Sequence, residues 1–213
     1  PSAGRELGPS TVSFAASLVV LAALAEVLGG REPSVALAAV AAATDAAAAA
    51  GDRLLADAEG RAAQFRAWFD DRPTVVLLGR GSARAAAELG ALVAKEAARV
   101  PIESLESAQF RHGPLELAGP GLAAGIVATE PATEELDRGL AGELAEAGAS
   151  VLVVQPGTEA VPGAETVAIG GLDRGLGPAV AAIPFQLLAW RVAVDRGLRP
   201  GMLEVATKVT TRE

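Results

Sequence analysis

Before Pro73 the apolar positions of this chain come in long stretches, and after it they come in short runs separated by amphipathic segments. Residues 14–28 are almost uninterrupted apolar sequence, residues 35–50 are mostly alanine, and residues 52–69 end on Trp68-Phe69. Stretches of that length exceed an ordinary strand and predict three helices. Ser10 or Thr11 caps the first, which Gly29-Gly30 ends. Pro33-Ser34 opens the second, and Asp52 opens the third, which stops near Pro73.

From Pro73 the pattern alternates. Strands are predicted at residues 74–78, 102–105, 123–128 and 151–154, with an edge strand at 166–169. Helices are predicted at 82–100, 133–147 and 176–195, the last kinked at Pro184. Strands apolar on both faces and joined by helical crossovers make an α/β fold, a doubly wound parallel five-stranded sheet.

Within the helix predicted at 82–100, Arg84, Glu88, Lys95 and Arg99 share one polar stripe. Glu96 falls off that stripe, among Leu89, Leu92, Val93 and Val100. Burial favours the neutral form of a carboxyl group unless a cation opposes it, so a carboxylate in such a place is a candidate proton carrier. A boundary residue that bends outward or pairs with an arginine is the equal alternative. Sixteen residues on stands His112, the single histidine, before the turn Gly113-Pro114. Of 18 lysines and arginines only Lys95 and Lys208 are lysine. Where arginine is the habitual cation, a lysine points to a role for a free amine.

Composition narrows the function classes. A chain of 213 residues with 51% hydrophobic content can build one substantial core. It has no cysteine, hence no disulfide, which fits a reducing, cytoplasmic setting. A net charge of −8 without a basic cluster argues against a nucleic-acid partner. One histidine and no cysteine give no metal site, and no cofactor is called for. The apolar stretches 14–28 and 35–50 fall short of the roughly 20 residues of a bilayer span and are broken by Glu26, Thr44 and Asp45. Both are read as buried helices, so no membrane is expected, and acidic Glu6 with Gly8-Pro9 does not make a signal peptide. Trp68, Phe185 and Trp190 are read as core or interface aromatics. Gly79-Arg80-Gly81-Ser82 has the strand, glycine turn and helix start of a phosphate cradle without dinucleotide spacing, and is read as structural.

The run Gly79-Arg80-Gly81-Ser82, Ala91-Leu92, Lys95-Glu96 and Phe110-Arg111-His112-Gly113-Pro114 resembles the second sugar-isomerase (SIS) domain of the isomerase part of glutamine–fructose-6-phosphate aminotransferase. Ala3-Gly4-Arg5-Glu6 with Ser10-Thr11 and Phe14 resembles the segment closing the first SIS domain of that family, and Lys208-Val209-Thr210 its tail. The resemblance implies three regions: 1–72, the helical end of a first SIS domain plus linker; 73–198, a second SIS domain; and 199–213, a tail closing the active site. It implies that a first sheet with its phosphate loop precedes Pro1. By the same resemblance Glu96 moves a proton between C1 and C2 of an open-chain sugar, and His112 opens the ring in the neighbouring subunit's site. Lys208 forms an imine with the keto sugar, and Ser10 and Thr11 lie near it. The implied protein is a homodimer with shared sites acting on a hexose or aminohexose 6-phosphate, with amine addition or release left open. The alternative is a regulatory, non-catalytic module that binds sugar phosphate. Val93 and Val12 stand where the family has lysines, a departure that touches the aminotransferase reaction and not the isomerase core.

Overall fold

The computed structural model describes Glu6, residues 8–173 and residues 175–205. Its centre is a sheet of five parallel strands, β1 (Thr74–Gly79), β2 (Glu103–Glu106), β3 (Leu122–Val127), β4 (Ser150–Gln155) and β5 (Ala164–Ala168), in the order β2-β1-β3-β4-β5. Both β2 and β5 are therefore edges. The crossovers are α4 (Ala83–Ala98) between β1 and β2, and α6 (Glu134–Glu146) between β3 and β4. Between β2 and β3 run the one-turn helix α5 (Ser107–Arg111) and a 3-10 turn, Pro114–Leu117.

Side chains alternate across a strand, and here both faces are covered. Val75, Leu77, Ala123, Val127, Leu152 and Val154 pack into one cluster with α3 (Ala58–Phe69), α4 and α8 (Ile183–Asp195). Val76, Leu78, Leu122, Ala124, Ile126, Val151 and Val153 pack into the other with α6 and Phe110. The doubly wound parallel sheet expected from the apolar runs is thus the observed one.

Three local expectations are corrected. The third helix opens at Ala58 and not at Asp52, because α2 (Pro33–Leu55) runs through Asp52 and the Asp57 side chain caps the next helix, accepting from Gly60 N at 3.1 Å. Residues 176–195 form two helices, α7 (Gly177–Ala181) and α8, broken at Ala182; Pro184 lies in the first turn of α8, where a missing N–H costs no bond. Ser10 occupies the N-cap position of α1 (Thr11–Leu28) without a side-chain cap bond. Glu6 caps instead, Oε1 accepting from Val12 N at 2.6 Å and Ser13 N at 3.1 Å, and Oε2 from Ser13 Oγ at 2.8 Å.

The expectation that both N-terminal apolar stretches are buried is also overturned. Of the 18 residues of α1 only Ala22 is buried, and Val20, Leu21, Leu24 and Leu28 are exposed together with Val35 and Leu37 of α2. These helices touch each other and α7, α2 also meets α3 and α8, and they join the sheet's main clusters through Phe14, Ala47, Ala50 and Leu54. By length and composition α1, α2 and the stretch Gly177–Asp195 could each cross a membrane.

Candidate active site

The segments around Gly8 and Gly201 meet at the C-terminal turns of α4. Gly8, with φ +66°, passes so close to Gly201 that a Cβ at Gly8 would fall 2.1 Å from the Gly201 carbonyl oxygen. The segment before α1 and the segment after α8 are thereby laid side by side over the helix that carries Glu96. Two cavities flank that helix. One, of about 230 Å³, is lined by Lys95, Glu96, Arg99, Arg199, Met202 and Glu204, among others. The other, of about 200 Å³, is lined by Thr11, Val93, Gln186, Trp190, Pro200 and Gly201, with Ala97 common to both.

Glu96 is half-buried, neither sealed in the core nor free in solvent. Leu89, Val93 and Val100 are buried beside it as the wheel predicts, but Leu92 is 45% exposed. Glu96 Oε2 is buried and, among the described residues, makes no hydrogen bond. Its neighbour Lys95 turns outward to Glu103, Nζ to Oε1 3.9 Å.

His112 lies elsewhere. Glu103, which Lys95 meets, begins β2, whereas His112 follows α5 beyond the other end of that strand. It is exposed and closes α5 with its backbone, donating from N to Gln109 O at 3.0 Å. Glu96 and Thr11 are therefore brought to one end of the sheet, Ser10 sits exposed beside Thr11, and His112 stands at the opposite end. Lys208 lies outside the described residues, of which Val205, at the rim of the Glu96 cavity, is the last.

The Gly79-Arg80-Gly81-Ser82 loop is occupied by the protein's own carboxylate. Glu130 Oε2 accepts from Ser82 Oγ at 2.9 Å, and Ser82 N points to it at 3.4 Å. An anion already sits at the start of α4, which agrees with the structural reading of this loop. Of the aromatics, Trp68 and Phe185 are core residues, and Trp190, 36% exposed, lines the cavity with Thr11.

Sequence reasoning missed Arg199, Gln186 and Asp137. The first two carry no local signal, since only packing brings them to the cavities. Asp137 did carry one: it shares the α6 face of Leu140, Ala141 and Leu144, all at 0% exposure, the same off-stripe placement that drew attention to Glu96. Burial pushes its carboxyl above the ordinary range, and the nearby Ser107 hydroxyl and Arg80 guanidinium oppose the shift.

Glutamine–fructose-6-phosphate aminotransferase (isomerizing) of Aeropyrum pernix is 30% identical over 169 residues, which is 77% of this chain and 27% of that protein. The chain thus spans about a quarter of the length of this relative, and 22% of the same-named protein of Francisella tularensis, to which it is 33% identical. No family model matches. Among solved structures, the C-terminal domain of glucosamine-fructose-6-phosphate aminotransferase from Francisella tularensis aligns with a TM-score of 0.77 at 21% identity, over 94% of this chain and 58% of that one. Tagatose-6-phosphate ketose/aldose isomerase from Escherichia coli aligns with a TM-score of 0.65 at 17% identity, over 78% and 47%. With its five parallel strands and the stretches read from its sequence, the chain belongs to the SIS-domain family and resembles the isomerase part of glutamine–fructose-6-phosphate aminotransferase.

Proposed function

We propose that this chain carries the proton-transfer part of a phosphosugar isomerase acting on a hexose or aminohexose 6-phosphate. The observation that carries the reading is Glu96: a carboxylate with one buried oxygen that has no hydrogen-bond partner among the described residues, lining a cavity closed by residues 198–205. A base that moves a proton between adjacent carbons needs an oxygen left uncommitted by the protein.

In this mechanism the Glu96 carboxylate takes a proton from C1 of the open-chain keto sugar. The electron pair left behind enters the enediol, or the enamine if the carbonyl is first held as an imine. Glu96 returns the proton to C2 as the O1 proton passes to O2, giving the aldose; an imine formed at C2 with loss of water is first hydrolysed, or exchanged for ammonia to give the 2-amino aldose, so the lysine amine is released before the proton moves. Lys208 supplies the amine for that imine, a role arginine cannot take because guanidinium stays protonated. In sequence it stands three residues after Val205, which lines the rim of the Glu96 cavity. Thr11 and Ser10 serve the sugar from the side of α1. His112, at the far end of β2, opens the ring in the site of a second copy, so the working unit is a homodimer with shared sites. Regions 1–72 complete a preceding SIS domain, which supplies the phosphate loop; the Gly79-Arg80-Gly81-Ser82 loop does not, since Glu130 fills it. Val93, 5% exposed, puts an aliphatic wall where the family has lysine. That places isomerisation at the centre of the proposal.

The test uses borohydride with a keto sugar phosphate and the whole protein. The expected result is a sugar mass added at Lys208, lost in Lys208→Arg together with turnover while the fold is kept. Labelling at Lys95, or normal turnover by Lys208→Arg, overturns the assignment.

A further inference from the structure

A helix of five residues has too few internal bonds to hold itself, so the position of α5 is set by what grips it. Three grips are present, and they lead to α6, to the loop after β1 and to the sheet. At the start, Glu106 Oε2 accepts from Ala108 N at 2.8 Å and Gln109 N at 3.0 Å, capping the helix. Its other oxygen faces Arg80 Nη1 at 3.7 Å, and Arg80 Nε donates to Asp137 Oδ1 of α6 at 3.0 Å. In the middle, Phe110 is at 0% exposure in the cluster that holds Leu140, Ala141 and Leu144. At the end, Arg111 makes a two-pronged pair with Glu143 of α6, Nη1 to Oε2 2.7 Å and Nη2 to Oε1 2.9 Å. The next residue is His112, exposed, followed by Gly113 at φ +135°.

We propose that Arg80, Glu106 and Asp137 are positioning residues, a charged clamp that fixes α5 and so the direction in which His112 is presented. The catalytic consequence rests on the reading of His112 given above; the clamp itself does not.

Stability alone does not account for this arrangement. Asp137 is at 0% exposure and Arg80 at 13% for its side chain, and Asp137 Oδ2 and Ser107 Oγ are buried near one another without a hydrogen bond of good geometry. Apolar residues of like volume commonly replace a buried ion pair at no loss of stability. What apolar residues do not supply is direction: an arginine fork lying between two carboxylates fixes the angle between the end of β2 and α6.

His112 is the only histidine, so the chain gives one imidazole Cε1–H resonance, readable without substrate. In the double variant Arg80→Met/Asp137→Leu, the expected result is a melting temperature near that of the parent with the single His112 resonance lost to several positions or to broadening. Amide exchange at Ala108 and Gln109 should become roughly five-fold faster, the worth of one helix cap. Should the double variant not fold, Glu106→Gln decides: it keeps an acceptor for the two amides but removes the charge that Arg80 reads, and the same loss of a single His112 resonance is expected. A single sharp His112 resonance at the parent position in the folded variant overturns the clamp. Normal turnover by His112→Ala would overturn the ring-opening role instead, leaving the resonance test untouched.

Discussion

Glu96 is held half-buried on α4, and one of its oxygens is buried without a hydrogen-bond partner among the described residues. Replacing it by glutamine keeps the shape and removes the base. Glu96→Gln is expected to lower kcat for aldose–ketose conversion by about 10²–10⁴-fold, the usual contribution of a positioned acid–base group, with the thermal midpoint unchanged. Loss of substrate affinity at unchanged kcat would show that Glu96 binds and does not transfer the proton. The wheel over residues 82–100 found this residue because local geometry alone sets which side of a helix a side chain leaves from. It misplaced Leu92, since whether that side is covered depends on which other elements pack against α4.

At the scale of elements, α4 and α8 approach the sheet so closely that glycines are required beneath them. A Cβ at Gly125 of β3 would lie 2.7 Å from Leu77 Cδ2 and 2.8 Å from Phe185 Cε1. Gly125→Ala should destabilise the fold by about 1–3 kcal/mol, the common cost of overpacking, measured as a lower denaturation midpoint at unchanged slope. On the edge strand β5, burial pushes the Glu165 carboxyl above its usual range, and Gln64 opposes the shift in part. The folded state then binds this proton more tightly than the unfolded chain does. Its contribution is complete below the unfolded pKa, at about pH 4, and is lost as pH rises through the folded value. Glu165→Gln should flatten the decline in stability from about pH 4 upward; an unchanged pH profile would show that Glu165 titrates alike in both states. Asp137, raised for the same reason, contributes with the same sign.

For the molecule as a whole, two features bear on assembly. The separation of Glu96 from His112 along β2 predicts shared sites: mixing His112→Ala with Glu96→Gln subunits should restore part of the activity, and failure to do so after demonstrated subunit exchange would exclude the arrangement. The exposed apolar face of α1 and α2 predicts binding of hydrophobic dyes by the isolated chain. Leu21→Glu with Leu24→Glu, at positions 59% and 50% exposed, should reduce that binding without lowering the thermal midpoint.

The sequence by itself determined the number of the strands and their parallel direction, because short apolar runs joined by crossover helices admit little else than a parallel, doubly wound sheet. It also determined that Glu96 leaves the polar stripe of its helix, a matter of local periodicity. Tertiary structure alone decided the rest. That α1 lies mostly uncovered is a fact about which neighbours it has, and hydrophobicity cannot report that. That Glu6 and not Ser10 caps α1, and that Glu130 fills the glycine loop, depends on loops folding back across six and forty-eight positions. That the segments before α1 and after α8 meet over α4 depends on the backbone contact of Gly8 with Gly201. Long-range approach follows from packing the whole chain, and no window of residues contains it.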